Sequence, residues 1–177
     1  MGTRRLENKV ALVTGAASGF GRGIAERFAR EGCSVVINDI ARESGAAVAA
    51  GIRAAGGVAH FAFGDVSKSN EVRGMLDAAL SQFGKLDIVV NNAGTTHRNQ
   101  PLLGVGEAEF DRIYAVNVKS IYLTAIHVVP HFRRQRSGCF INIASTAAIR
   151  PRPGLTWYNG SKGAVITTSR SMAAELG

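Results

Sequence analysis

A short apolar run, Val10 to Val13, breaks at Thr14-Gly15 into a turn with glycines at 15, 19, 21 and 23, and a helical pattern follows at once. A strand that opens through glycines into a helix limits strongly what can surround it. Glycine lets the backbone approach a bound group closely, and the free N–H groups at a helix start supply donors and positive potential for a phosphate. The spacing is Gly15-x-x-x-Gly19-x-Gly21, which differs from the G-x-G-x-x-G dinucleotide fingerprint. Taken alone, the pattern also fits a plain tight turn between a buried strand and a helix.

The remaining chain repeats that alternation. Strands are expected at Val10–Thr14, Ser34–Asn38, Val58–Phe63, Leu86–Val90 and Cys139–Ala144. Between them, a helical pattern with Ile24, Ala25, Phe28 and Ala29 as its apolar stripe follows the glycines and is capped by Gly32, others span about Glu43–Ala55, Ser67–Phe83 and Glu107–Arg134, and a last one spans Trp157–Leu176. The run Val35-Val36-Ile37 is β-branched throughout, as in strands covered on both faces of a parallel sheet. Strands alternating with helices predict right-handed βαβ units and an α/β fold, a doubly wound parallel sheet with helices on both faces. No repeat or linker divides the chain, so residues 1–177 read as one domain.

Composition narrows the function. No run of 18 apolar residues offers a membrane span, and no apolar signal core opens the chain, which suits a cytoplasmic setting. The net charge of +8 raises nucleic acid as a partner, but the basic residues are scattered. Their one cluster, Arg133, Arg134 and Arg136, closes a helix and has no interleaved aromatics. Cys33 and Cys139 each open an expected strand and read as small, buried, reduced thiols.

Several polar residues fall at expected strand ends, where ligands bind in such sheets. Asp39 stands just past the second strand, 18 positions beyond Gly21, and could accept from both hydroxyls of an adenosine ribose while repelling a 2′-phosphate. Asp65 follows the third strand, and Asn91-Asn92-Ala93-Gly94 follows the fourth. The polar segment Gly94–Gly106 contains His97, which has no acid, Cys or second His at ligand spacing; a solvated loop histidine is expected, and no metal site. Asn117 lies mid-helix, where an amide is an unhelpful helix former. Ser145 ends the fifth strand, and Tyr158 and Lys162 sit four apart on the last helix. An ammonium one turn from a phenol stabilises the phenolate, so the phenol can exchange a proton with an alcohol or carbonyl oxygen. A serine hydroxyl donating to that oxygen would hold it in place.

Together, Thr14-Gly15-x-x-x-Gly19-x-Gly21, Asp65, Asn91-Asn92-Ala93-Gly94, Asn117, Ser145 and Tyr158-x-x-x-Lys162 run in one order over nearly the whole chain. In this the chain resembles the short-chain dehydrogenases/reductases, NAD(P)-dependent enzymes with a Rossmann-like domain. Within them it looks most like the 3-oxoacyl-carrier-protein reductase and glucose dehydrogenase neighbourhood. The resemblance implies Tyr158 as acid/base, Lys162 on the nicotinamide ribose, Ser145 orienting the substrate, and Asn117 holding a water that links Lys162 to solvent. It implies Gly15, Ser18, Gly19, Phe20 and Gly21 around the pyrophosphate, Asp39 on the ribose, Asp65 and Val66 at the adenine, and Asn92, Ala93 and Gly94 bracing the cofactor. The implied cofactor is NAD rather than NADP. The implied substrate is a small secondary alcohol or ketone, in a homodimer or homotetramer. Arg98, Arg150 and Arg152 could attract an acidic substrate or form a solvated rim. Members of the family usually continue with a sixth strand, a helical substrate cover and a seventh strand, so the sequence reads as truncated after the active-site helix. The alternative is a non-catalytic NAD-binding or scaffold form.

Overall fold

Five strands form one parallel sheet in the computed structural model, which describes residues 4–177. At its centre β1 (Val10–Thr14) lies between β2 (Ser34–Asp39) and β4 (Ile88–Asn91), with β3 (Val58–Phe63) and β5 (Cys139–Asn142) at the edges. The order β3-β2-β1-β4-β5 means that the chain winds outward from β1 to β3, then crosses back and winds the other way. The switch point falls between β1 and β4, where the carboxyl ends leave a crevice.

The β-branched and apolar strand residues are buried on both faces because helices cover both. On one face Val35 and Ile37 pack with Ala25 of α1 (Gly19–Arg30) and with Val48, Ala49 and Ile52 of α2 (Arg42–Ala54). On the other, Leu12 and Val36 pack with Met75 and Leu76 of α3 (Ser69–Phe83) and with Leu123 and Phe132 of α5 (Ser120–Gln135). Each fully buried Val, Leu or Ile of this kind contributes about 1.5–3 kcal/mol relative to exposure. At the sheet's other end the Asp87 carboxylate accepts from the Val10 N–H at 2.8 Å and pairs with Lys85 at 3.1 Å, which ties the starts of β1 and β4 together.

Element by element the expected order holds, with informative shifts at the boundaries. β2 runs one residue further and takes in Asp39, and β4 takes in Asn91. α3 begins at Ser69 rather than Ser67, because the Asp65 side chain accepts from both the N–H (2.9 Å) and the hydroxyl (2.7 Å) of Ser67 and holds that turn outside the helix. β5 stops at Asn142.

The expected long helix Glu107–Arg134 is three pieces. α4 (Glu107–Tyr114) is followed by a π-helical turn, Ala115–Lys119, and then by α5. Asn117 is the residue that divides them, since its amide bonds sideways to other elements instead of facing solvent. Such widened turns leave backbone carbonyls without their usual partners. The Ser120 hydroxyl takes up one of them, that of Val116, at 2.6 Å. The last helix, α6 (Thr156–Leu176), packs against α4 and the π turn. Cys33 is buried as expected, but Cys139 is exposed because β5 is an edge strand.

Candidate active site

Two turns meet at the switch point. Parallel register sets Val13 beside Val90, so the chain leaves β1 and β4 at the same level. The Thr14 hydroxyl accepts from the N–H groups of Asn92 and Ala93, each at 3.0 Å, and the Asn92 amide donates to the carbonyls of Thr14 (2.8 Å) and Gly15 (3.1 Å). This lacing leaves no room for side chains. Gly15 has φ +62, and a Cβ on it would fall 2.8 Å from Ala93 Cα; one on Gly21 would fall 2.2 Å from the Gly15 carbonyl oxygen.

Outside the two turns lies a cavity of about 600 Å³. Gly15, Ser18, Gly19 and Phe20 line one wall, Asp39, Asp65 and Val66 a second, and Asn92, Ala93 and Gly94 a third. Of the residues expected from the glycine turn, Gly21 alone lies beneath the wall, packed on Gly15 and Asn92. A dinucleotide fits this arrangement on two counts. Ser18 precedes α1 without capping it, so the first N–H groups of that helix are open to an anion. The place a Cβ would occupy on Gly19, φ +54, has nothing within 4 Å, so this turn leaves open space beside the cavity. Asp39 is fixed with its carboxylate toward the crevice by the N–H groups of Ala17 (2.9 Å) and Ala41 (3.0 Å). A larger cavity, about 710 Å³ between α5, β5 and α6, is walled by Phe132, Phe140 and Met172 and shares none of these residues.

Three residues past the end of β5, Ser145 caps the 3₁₀ turn Thr146–Ala148 by accepting from the Ala147 N–H at 3.1 Å. A hydroxyl that accepts there keeps its hydrogen to donate elsewhere. One helical turn separates Tyr158 from Lys162 on α6. Lys162 is only 5% exposed, its Nζ donates to the Ile143 carbonyl at 2.8 Å, and burial holds its ammonium below the usual lysine range. A Cβ on Gly94 would lie 3.4 Å from Lys162 Nζ and 3.4 Å from Asn117 Oδ1, so both groups converge on that glycine. Asn117 accepts from the Thr95 N–H (2.8 Å) and donates to the Thr95 carbonyl (2.9 Å) and the Ser161 hydroxyl (2.9 Å). Its side chain is therefore a strut between the β4 turn and α6.

Some members of this site left no mark in the sequence. Arg112 of α4 donates to the Thr95 hydroxyl and the Thr96 carbonyl and lines the cavity. Only the fold brings it to the β4 turn. His97 corrects an expectation: it is buried, 2% exposed, because Nδ1 turns back onto the Arg98 carbonyl at 2.7 Å. Among the described residues no group of three or more His, Cys, Asp or Glu is placed to hold a metal ion.

The sequence pattern of the short chain dehydrogenase family matches residues 9–177. The chain belongs to that family of oxidoreductases. It is 51% identical over 171 residues to 4-formylbenzenesulfonate dehydrogenase of Comamonas testosteroni, covering 97% of this chain and 68% of that one. It is 37% identical to the cyclopentanol dehydrogenase of a Comamonas strain, with coverage of 97% and 68%. Among solved structures it matches a 3-ketoacyl-(acyl-carrier-protein) reductase from Brucella melitensis complexed with NADH, at TM-score 0.92, 46% identity, and coverage of 97% of this chain and 70% of that one. A short chain dehydrogenase/reductase from Burkholderia phymatum in complex with NAD matches at TM-score 0.93 and 31% identity, covering 99% and 62%. The chain thus spans about two thirds of the length of these relatives. No described helix is long and apolar enough to cross a membrane.

Proposed function

We propose that residues 1–177 are the dinucleotide-binding catalytic portion of an enzyme that interconverts a small secondary alcohol and a ketone with NAD(H), using Tyr158 as the proton-exchanging group. The observation that carries this reading is the convergence of Lys162 Nζ and Asn117 Oδ1 on Gly94, at the junction of the cofactor-sized cavity with the helix that bears Tyr158. Two relatives support the substrate class by name, one acting on cyclopentanol and the other, structurally matched, on a 3-ketoacyl group. A third, the formylbenzenesulfonate dehydrogenase, adds aromatic aldehydes to the compounds worth testing.

A nicotinamide held in this cavity would supply the hydride acceptor in oxidation and the hydride donor in reduction. In oxidation the Tyr158 phenolate takes the hydroxyl proton, which leaves a carbonyl and a neutral phenol. Ser145 donates its free hydrogen to the reacting oxygen and steadies the charge there. The Lys162 ammonium lies one helical turn away on the same helix, where it would bind the nicotinamide ribose. Asn117, on the π turn, would hold a water leading protons from Lys162 to solvent. At the cavity Gly15, Ser18, Gly19 and Phe20, with Gly21 beneath them, would form the pyrophosphate turn, Asp65 and Val66 the adenine wall, and Asn92, Ala93 and Gly94 the cofactor's brace.

Asp39 favours NAD, because a fixed carboxylate binds a ribose diol and repels a 2′-phosphate. Arg42, three residues on, stacks over the Phe63 ring at 3.5 Å. The unit works in the cytoplasm as a homodimer or homotetramer, with no nucleic acid as partner. The full-length protein, assayed by NADH absorbance on secondary alcohols and aromatic aldehydes, is expected to turn over at least one of them, faster with NAD than with NADP. A preference for NADP would remove the role given to Asp39.

A further inference from the structure

The net charge of +8 is unevenly held. Residues 112–174 contain nine Lys or Arg and no Asp or Glu, and residues 88–106 contain Arg98 and again no acid. All other residues together carry 11 Lys or Arg against 13 Asp or Glu. The whole positive excess therefore belongs to the two segments that carry Gly94, Asn117, Ser145, Tyr158 and Lys162.

Three of these charges sit on one stitched wall. The Gln100 N–H donates to the Gly154 carbonyl at 3.1 Å, and the Asn99 amide donates to the Pro153 carbonyl at 2.9 Å, joining the loop after β4 to the loop before α6. The Asn159 amide donates to the Arg152 carbonyl at 2.9 Å and fastens the wall to the residue next to Tyr158. Arg98, Arg150 and Arg152 belong to these two loops, all are exposed, and none is used in the ion pairs of the described residues. Arg22, Arg27, Arg73 and Arg112, by contrast, each have a carboxylate partner. The anionic cofactor does not account for the three, since the wall of its cavity includes Arg112 but not Arg98, Arg150 or Arg152.

We propose that the substrate carries a fixed oxyanion, a sulfonate, carboxylate or phosphate, that the Arg98–Arg150–Arg152 wall holds while its carbonyl or carbinol end faces Ser145 and Tyr158. This rests on the oxidoreductase reading above and adds the substrate class. Guanidinium groups match planar or tetrahedral oxyanions with paired N–H donors. Exposed pairs are individually weak, so the selectivity comes from several charges of one sign acting on a single anion, and salt screens it.

The test uses the full-length protein with saturating NAD and matched alcohols that differ in one substituent: sulfonate, carboxylate or neutral methyl, on both aromatic and aliphatic frames. The anionic members should show kcat/KM about tenfold or more above their neutral partners at low ionic strength, a ratio that falls as salt rises. Arg150→Gln combined with Arg152→Gln should cut that ratio about tenfold, with KM for NAD unmoved. Equal kcat/KM for charged and neutral members, or an Arg variant that leaves the ratio intact, overturns the proposal while the oxidoreductase reading stands. Absence of NADH formation with every pair overturns both.

Discussion

Lys162 and Asn117 meet across Gly94: the buried ammonium on α6 and the amide on the π turn each come to within 3.4 Å of the place a Cβ would occupy on that glycine. The glycine's missing side chain is what lets a cation and an amide share one point of the β4 turn. A methyl there would be in ordinary contact with both and would fill the exposed space beside them. Gly94→Ala is therefore expected to fold, with thermal unfolding close to wild type, and to lose about tenfold or more in kcat/KM. Steady-state kinetics beside a melting curve measure both quantities.

Two glycines of the β1 turn should respond differently to alanine. A Cβ on Gly21 would strike the Gly15 carbonyl at 2.2 Å and the Asn92 amide at 2.4 Å, both parts of the lacing between the turns. Gly21→Ala should cost about 1–3 kcal/mol in urea unfolding by overpacking. Gly19 has open space and φ +54, so Gly19→Ala carries only the smaller left-handed strain, about 1–2 kcal/mol or less. Its methyl lies at the cavity's wall, so NADH binding, read by fluorescence titration, should weaken more than stability falls.

Much of this site is legible in the sequence, and the reason is local. Residues at strand ends, such as Asp39 and Asn92, reach the cavity by topology alone once the βαβ order is known. Tyr158 and Lys162 share a helix face by spacing. Arg112 and Ser161 were not legible, because their partners lie 16 or more residues away and depend on how α4, the π turn and α6 pack. The π turn itself was hidden behind an unbroken helical pattern, and a mid-helix asparagine was its one sign. His97 reads as a polar loop residue until its ring is seen folded onto the next carbonyl.

The buried ammonium gives stability a pH dependence. Burial lowers the Lys162 pKa in the folded state below its ordinary 10.5, so between those two values the unfolded chain binds more protons. Stability from this group therefore rises with pH through that window and is lost as pH falls through the folded pKa. Lys162→Met should lack this slope, so wild type should gain stability relative to the variant as pH climbs toward 10.5. Urea unfolding of both proteins over that range checks it, and parallel curves contradict it.

The two thiols should react at very different rates. Burial, helped by the neighbouring Asp87 charge, pushes the Cys33 thiol up to about 12, whereas Cys139 is exposed on the edge strand. A thiolate is the reactive species, so a native-state assay of the 177-residue chain with a thiol reagent should modify one cysteine quickly and the second only on unfolding. Cys139→Ser should abolish the fast phase.

The role given to Tyr158 is tested most directly by Tyr158→Phe in the full-length protein, assayed for NADH-linked turnover and, separately, for NADH binding. Removing the hydroxyl deletes the proton exchange and leaves the glycine turn, Asp39 and Lys162 in place. The expected result is a fall in kcat of about 10²–10⁴-fold with cofactor affinity little changed. Turnover at the wild-type rate in Tyr158→Phe would contradict it.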